Sequence, residues 1–205
     1  FQGFIGWYMV SSGLIDRVDV SHYRLSLHLV TAFIILSIVF WKFLKLTNLK
    51  NNQIRIKLNS LKFFLLLIFL QLIIGAFVSG MDAGKIYNSW PFMGNTYFPD
   101  DNNFINLFKL SAFNDPSLVQ FIHRNLAYVI GLFYLLIFFK IYRNKNVEQY
   151  KAVNLLGFFI ILQIVLGIFT ILYGAQIFIA SLHQISSIFL VSSCIYFYFI
   201  NKKFN

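Results

Sequence analysis

The sequence predicts an all-α protein, a polytopic bundle of helices that cross a membrane. Of its 205 residues, 59% are hydrophobic, and the mean hydropathy is +0.71. Several apolar runs approach or exceed the roughly 20 residues that span a bilayer as a helix. Strands of a membrane β-barrel would be about 10 residues long with strict alternation. The chain shows no such alternation.

Five apolar segments are predicted to be complete membrane helices, and a shorter one is predicted to be the tail of a sixth. The tail covers residues 1–10, where the chain opens without an initiator Met or a charged leader. We therefore expect further helices before it. The five complete segments are residues 23–43, 61–80, 118–139, 152–172 and 176–200.

The net charge of +10 is divided unevenly along the chain. If the helices alternate in direction, twelve of the seventeen basic residues lie on one side and six of the seven acids on the other. The positive-inside rule places the basic side in the cytoplasm or the mitochondrial matrix. The charge is thus a topology signal, and no nucleic-acid partner is expected. The basic residues are Lys42, Lys45, Lys50, Arg55, Lys57, Lys62, Lys140, Arg143, Lys145, Lys151, Lys202 and Lys203, and the acids are Asp16, Asp19, Asp82, Asp100, Asp101 and Asp115.

Three of the four histidines fall inside apolar helices at matching depth. His28 and His183 follow the same dipeptide, Ser-Leu, and His123 lies in QFIHR at 120–124. At about 1.5 Å per residue, all three lie roughly 8–11 Å from the outer helix ends. A histidine buried in a membrane is costly and usually functional. Paired axial ligands for haem fit the pattern; the alternative is a set of buried imidazoles bonded to carbonyls or water.

An internal repeat relates the two ends of the chain. Offsets of 161 and 155 residues align polar and small residues of the first two segments with those of the last two. Both histidine helices of the repeat run inward, which predicts parallel repeats about an axis along the membrane normal. We expect eight helices in two pseudo-symmetric four-helix bundles, with 1–60 in the first and 61–205 in the second. The matches are Gln2, Gly6 and Gly13 with Gln163, Gly167 and Gly174, and Ser26, Leu27, His28 and Ser37 with Ser181, Leu182, His183 and Ser192.

Other polar and small residues have local interpretations. Arg24 and Arg124 lie at outer helix ends, where they either clamp the propionates of a haem or snorkel to lipid headgroups. The aromatic loop at 81–117 is predicted to be a lid over an outward-facing cofactor or part of an interface belt. Gln71 and Gln163 are predicted to bond neighbouring helices. Gly75, Gly80, Gly84 and Gly157 are predicted to serve close helix packing and turns. The lone Cys194 excludes a disulfide framework within this chain.

Six stretches, in order along nearly the whole chain, resemble the haem A synthase family. The stretches at 75–94 and 119–124 carry the most specific part of the likeness. With its single cysteine, the chain resembles the mitochondrial and alphaproteobacterial form of the family, which lacks a cysteine pair in the outer loop. The stretches are QGFIGWYMVSSGL (2–14), VSHYRLSLHL (20–29), GAFVSGMDAGKIYNSWPFMG (75–94), VQFIHR (119–124), LGIFTILYG (166–174) and ASLHQ (180–184).

The resemblance implies an oxidoreductase that converts the C8 methyl of haem O to a formyl group, giving haem A for cytochrome oxidase. It implies haem b held by His123 and His183, and substrate haem O with His28 as one ligand. The family's other substrate ligand follows a glutamate in an EFxHR-like motif. This chain has no such motif, so we expect the motif before Phe1 and expect the 205 residues alone to be inactive.

The resemblance also implies a setting and partners. The protein should lie in the bacterial plasma membrane or the mitochondrial inner membrane, with its haem sites toward the periplasm or intermembrane space. Expected partners are haem O, the haem O synthase that supplies it, an electron acceptor and the lipid bilayer, and a homo-oligomer is open. Two other functions also remain open at this point. One is a bis-histidine b-type cytochrome subunit without catalysis, and the other is a non-catalytic scaffold or transporter half.

Overall fold

The computed structural model describes residues 1–13, 19–47, 58–145 and 147–202. Within these ranges the regular structure is helical, apart from an isolated bridge between Met93 and Thr96. The helices are α1 (Gln2–Val10), α2 (His22–Leu46), α3 (Leu58–Gly80), α4 (Pro116–Arg143), α5 (Val147–Leu172) and α6 (Ile177–Asn201).

The predicted fold class is confirmed. Helices α2 to α6 are each long and apolar enough to cross a membrane, and α1 is the short segment at the start of the chain. Helices α2 to α5 are longer than predicted, whereas α6 has the predicted length and is shifted by one residue. Helix α4 continues to Arg143 and α5 begins at Val147, because polar residues continue a helix beyond the hydrocarbon layer that the apolar pattern detects. The protein is an integral membrane protein.

Helices α3 to α6 form a ring. Each packs against its neighbour in the chain, and α3 closes the ring by contacting α6. Helix α2 lies outside this ring against α3 and α6, and α1 packs on α2. Near the basic end of the α2–α6 contact, Lys202 lies 5.2 Å from the centre of the Trp41 ring.

The densest packing lies at the basic end of the ring. Side chains there are almost fully buried, including Phe64, Ile141, Val153 and Phe197. Cys194 is a free, buried thiol in this same cluster. The three helical histidines lie at the other end and are only half-buried. The larger hydrophobic cluster therefore lies in one half of the ring. The histidine half contains a smaller cluster of Ile74, Phe77 and Val119 together with the polar contacts of the histidines.

The connection between α3 and α4, residues 81–115, lies at the histidine end. It contains three short 3-10 turns, Ala83–Lys85, Phe104–Phe108 and Leu110–Asn114. Helix α4 starts sharply because the Asp115 carboxylate accepts a hydrogen bond from the Leu118 amide, and Pro116 needs no partner for a backbone N–H at the first position.

The charge division has a structural counterpart in the described residues. Lys45, Lys62, Lys140 and Arg143 lie at the densely packed end, and Asp82, Asp100, Asp101 and Asp115 lie in the outer connection. Four basic residues and one acid of the predicted division lie outside the described residues: Lys50, Arg55, Lys57, Lys203 and Asp16.

Candidate functional site

His28 is held at the seam between α1 and α2. The amide nitrogen of Gln2 donates a hydrogen bond of 2.9 Å to the main-chain carbonyl of His28 and lies 3.2 Å from its Nδ1 atom. One turn further along α1, a Cβ placed on Gly6 would lie 3.1 Å from Cε1 of the imidazole. A larger residue there would push on the ring. Gln2 and Gly6 thus form what we call a cradle, which consists of a glutamine that bonds the histidine and a glycine that leaves room for the imidazole ring.

His123 has the same surroundings at the seam between α3 and α4. The Gln71 amide donates to the His123 carbonyl at 3.1 Å and lies 3.3 Å from the ring Nε2. A Cβ on Gly75 would lie 3.1 Å from Cε1 of the ring. The predicted roles of Gln71 in bonding a neighbouring helix and of Gly75 in close packing are confirmed.

His183 has a related cradle at the seam between α5 and α6. Gln163 donates to the His183 carbonyl at 2.9 Å, and a Cβ on Gly167 would lie 3.2 Å from Cε1. The second contact of Gln163 differs from those of Gln2 and Gln71, because its amide nitrogen bonds the Ser186 hydroxyl and not the imidazole. The interhelical role predicted for Gln163 is likewise confirmed.

The three cradles share one spacing within the first helix of each pair. A glutamine precedes a glycine by four residues, which places both on one face of a helix. The histidine is the seventh residue of α2, the eighth of α4 and the seventh of α6. Sequence comparison detected the first and third cradles and missed the second. The long outer connection separates Gln71 from His123, so no single offset aligns that pair with the others.

The ring of four helices contains two of the three predicted histidines. His123 lies on α4 and His183 lies on α6. The Nδ1 atom of each is buried and has no hydrogen-bond partner within the described ranges. Buried imidazole nitrogens without a partner are rare because desolvation is costly, so they point to a bound group. His28 lies outside this ring, on α2.

Arg24 and Arg124 differ in their contacts. Arg24 is half-buried; it donates to the Tyr8 carbonyl at 2.9 Å, and its guanidinium lies 4.0 Å from the centre of the Tyr8 ring. Arg124 is 7% exposed and donates to the carbonyls of Tyr87 and Ser89 at 3.0 Å each. A longer bond of 3.4 Å reaches the Phe92 carbonyl. Arg124 therefore fastens the outer connection to α4.

A stripe of α4 side chains holds the same connection along its length. Gln120 donates to the Tyr87 carbonyl at 3.0 Å, and the Tyr128 hydroxyl accepts from the Trp90 indole at 2.8 Å. Ser117 donates to the Asp101 carboxylate at 2.6 Å. These α4 residues, with Arg124, recur every three or four positions and so share a helix face. The connection is an ordered lid packed on the outer half of α4.

Two carboxylates hold turns of the lid together. Hydrogen bonds from the Asn95 amide and the Thr96 hydroxyl lower the pKa of Asp100 below its ordinary value. Burial raises the pKa of Asp101, but hydrogen bonds from Ser117, Tyr87 and Asn102 outweigh it, so the net shift is downward. Both groups are therefore ionised at neutral pH.

His22, the fourth histidine, begins α2 and has a packing role. Its ring lies 5.2 Å from that of Phe77, edge to face, and its backbone lies against Gly80 of α3. A Cβ on Gly80 would lie 2.9 Å from the His22 Cα.

Comparisons with known proteins identify the family. The family model described as cytochrome oxidase assembly protein matches residues 1–195. A Pelagibacter ubique protein named heme A synthase is 47% identical over 204 residues, which cover 100% of this chain and 60% of that protein. Proteins of the same name from Flavobacterium johnsoniae and Rickettsia felis are 40% and 38% identical, over 96% and 98% of this chain and 59% and 61% of theirs.

The chain thus spans about 60% of the length of these curated relatives. No solved structure matches it. The family model covers almost all of the chain, and the relatives' name agrees with the family that the six sequence stretches resemble. This chain therefore belongs to the cytochrome oxidase assembly protein family.

Proposed function

We propose that the protein is a haem A synthase that oxidises the C8 methyl of haem O to the formyl group of haem A. The relatives that bear this name match across the whole chain, up to 47% identity. The observation that carries the proposal is the cradle that recurs at three histidines. Two of these lie in one ring of helices and the third lies on α2, which separates two places for a haem within one protein.

His123 and His183 would hold haem b. Each presents a buried Nδ1 atom without a hydrogen-bond partner in the described structure, and they lie on α4 and α6, two helices of one ring. Axial ligands of haem in helical bundles come from such inward side chains. When bound, this haem supplies an iron that accepts and passes on single electrons. The glycines beside the imidazoles keep the seams narrow enough for the glutamines to reach the histidine carbonyls.

His28 would be one ligand of the substrate, haem O. The cradle of Gln2 and Gly6 fixes the position of the imidazole relative to α1 before the substrate enters. A ligand fixed in advance reduces the entropy lost when the substrate is oriented. Its opposing ligand is proposed to come from the glutamate-containing motif that the resemblance implies outside this chain. This assignment supports the proposed division into a substrate half (1–60) and a haem b half (61–205).

The lid and the two arginines would complete the outer side of the haem sites. Arg124 and the other residues of its stripe hold the lid over α4, which limits the access of water to the histidine end of the ring. Arg24 and Arg124 are proposed to contact propionates through the N–H groups that their main-chain partners do not use. A guanidinium has five such donors in a planar fork, so it can bond protein carbonyls and a carboxylate together.

The proposed setting follows from the charge division. The basic end faces the cytoplasm or matrix, and the lid and haem sites face the periplasm or intermembrane space. The membrane is that of a bacterium or the mitochondrial inner membrane. Conversion of the methyl to a formyl group takes an oxygen atom from water and releases protons and electrons, so an electron acceptor outside this chain is required. A haem O synthase is proposed to supply the substrate, and self-association is a further proposal.

Production of haem A tests the function. The protein encoded by the whole gene would be expressed in cells that make haem O but lack haem A, and the extracted haems would be separated by chromatography. We expect haem A with the parent protein and a loss of at least tenfold with His28→Ala. A protein that binds haem b and yields no haem A would instead be a b-type electron-transfer cytochrome.

A further inference from the structure

The three cradles differ at the atom that the glutamine bonds second. Gln2 and Gln71 place their amide nitrogens 3.2 and 3.3 Å from an imidazole nitrogen of the histidine they hold. Gln163 bonds the Ser186 hydroxyl instead. Ser186 lies three residues after His183, one turn along α6. At the same distance after His123 the residue is Leu126, which offers no hydroxyl.

Each of these glutamines bonds the histidine main chain, and this contact sets the register of the two helices. The bond to the ring nitrogen is additional, and it acts on the rotation of the imidazole itself. The ring of His123 is thereby restrained from two sides, by the Gln71 amide and by Gly75 against Cε1. Among the described contacts, the ring of His183 is restrained by Gly167 alone.

We propose that Gln71 is a positioning residue that sets the orientation and the electron-donor strength of the His123 imidazole, while Gln163 positions only the main chain of His183. The inference rests on the proposed function, since the orientation of the ring matters to a haem that it ligates. An outer-shell group that accepts a hydrogen bond from the second ring nitrogen of a ligating histidine fixes the ring and raises its basicity.

The Gln71 amide can bond the ring nitrogen of His123 whether or not that nitrogen carries a proton. In the structure, Nε2 of Gln71 faces Nε2 of His123, which accepts the hydrogen bond. Oε1 of Gln71 is buried with no partner in the described part of the chain. A neutral imidazole that binds iron through one nitrogen carries its proton on the other. Turning the amide end for end would bring Oε1, a spare acceptor, to that proton, and the amide would then give up its bond to the His123 carbonyl. Gln2 has the same free Oε1 beside His28.

The test compares Gln71→Leu with Gln163→Leu, which is the matched control in the same ring of helices. Both variants lose a bond to a histidine carbonyl, but only the first loses a bond to an imidazole. The readouts are the midpoint potential of the bound haem b and the highest g value of its low-spin electron paramagnetic resonance signal. The protein is purified from membranes with its haem in place, and no turnover is required.

We expect Gln71→Leu to raise the midpoint potential and shift the g value, because a ring without an acceptor for its proton is a weaker donor to iron. Gln163→Leu should leave both values near those of the parent. Gln71→Glu, which keeps an acceptor, should return the potential to the parent value or below it. Equal shifts in the two leucine variants would overturn the positioning role.

A second variant covers the case in which Gln71→Leu loses its haem. Gly75→Ala keeps the amide and places one methyl 3.1 Å from Cε1 of His123, so the ring must turn and the g value should change. An unchanged signal in that variant would overturn the cradle. Failure of the proposed function is distinguishable from either result: the parent would show no low-spin haem, or His123→Ala would retain it.

Discussion

Arg124 shows how one buried side chain can hold a loop in place. Its guanidinium bonds main-chain carbonyls of Tyr87, Ser89 and Phe92. Removing it leaves those carbonyls without their partner at the lid, and each hydrogen bond to a charged group contributes about 1.5–3 kcal/mol. We expect Arg124→Leu to loosen the lid, so that proteolysis within residues 81–115 becomes at least tenfold faster in detergent.

Arg24→Leu is the matched control for this prediction. Arg24 contacts Tyr8 and Ser11 on α1 and makes no contact with the lid among the described interactions. Its removal should leave lid proteolysis unchanged. Equal protease sensitivity in the parent and Arg124→Leu would contradict the fastening role. Haem retention in the same two variants tests the separate proposal that the arginines bind propionates.

The lowered pKa of Asp101 predicts that the stability of the lid depends on pH. Its pKa is lower in the folded lid than in an unfolded chain, since Ser117, Tyr87 and Asn102 donate to the carboxylate and outweigh the effect of burial. A lowered folded pKa means that this stabilisation is complete above the ordinary pKa of about 3.9. It is lost as pH falls through the folded value.

The fluorescence of Trp90, which is bonded to Tyr128 in the lid, should therefore change on acidification below about pH 4. Asp101→Asn should reduce this pH dependence because the amide does not titrate. If the fluorescence of the parent and of Asp101→Asn changed in the same way with pH, the Asp101 carboxylate would not stabilise the lid.

At the scale of the elements, two glycines on the α4–α5 seam allow a matched test of packing. A Cβ on Gly157 would overlap the Tyr134 hydroxyl, which donates to the Val153 carbonyl at 3.2 Å. The nearest atom to a Cβ on Gly131 is 3.8 Å away, on Ile164. Overpacking in a tight core typically costs about 1–3 kcal/mol. Gly157→Ala should lower the thermal unfolding temperature, whereas Gly131→Ala should not; equal temperatures would contradict this packing.

The helices could be predicted from sequence because the membrane imposes a length and a composition on each of them. Their ends could not, since Arg143 and Val147 lie beyond the apolar stretch. The first and third cradles were visible as a repeat of glutamine, glycine and histidine. The second was hidden by the length of the lid, although Gln71 and Gly75 have the same spacing as the other two pairs.

The orientation of the helices in the membrane stays a prediction, and single cysteines can test it. Asn95 is exposed in the lid and Asn144 is exposed at the end of α4. With an impermeant thiol reagent on intact cells or mitoplasts, Asn95→Cys should react and Asn144→Cys should not. The parent is the control, because Cys194 is buried. Preferential labelling at position 144 would reverse the sidedness of every proposed haem site.

At the scale of the whole molecule, the arrangement separates a ring of four helices from α1 and α2. The ring contains His123 and His183. Helix α2 packs against the outside of the ring and carries His28 at its seam with α1. The candidate histidines could be chosen from sequence because histidine is rare in apolar helices. The contacts of Arg124 could not be anticipated, because three carbonyls reach it only through the fold of the lid.

The visible absorption spectrum of bound haem in three alanine variants tests this separation most directly. The parent protein should show a six-coordinate low-spin haem b. His123→Ala and His183→Ala should each abolish that spectrum or convert it to a five-coordinate one, while His28→Ala should leave it nearly unchanged. If His28→Ala alone removed the low-spin haem, the assignment of haem b to the ring of α3 to α6 would be wrong.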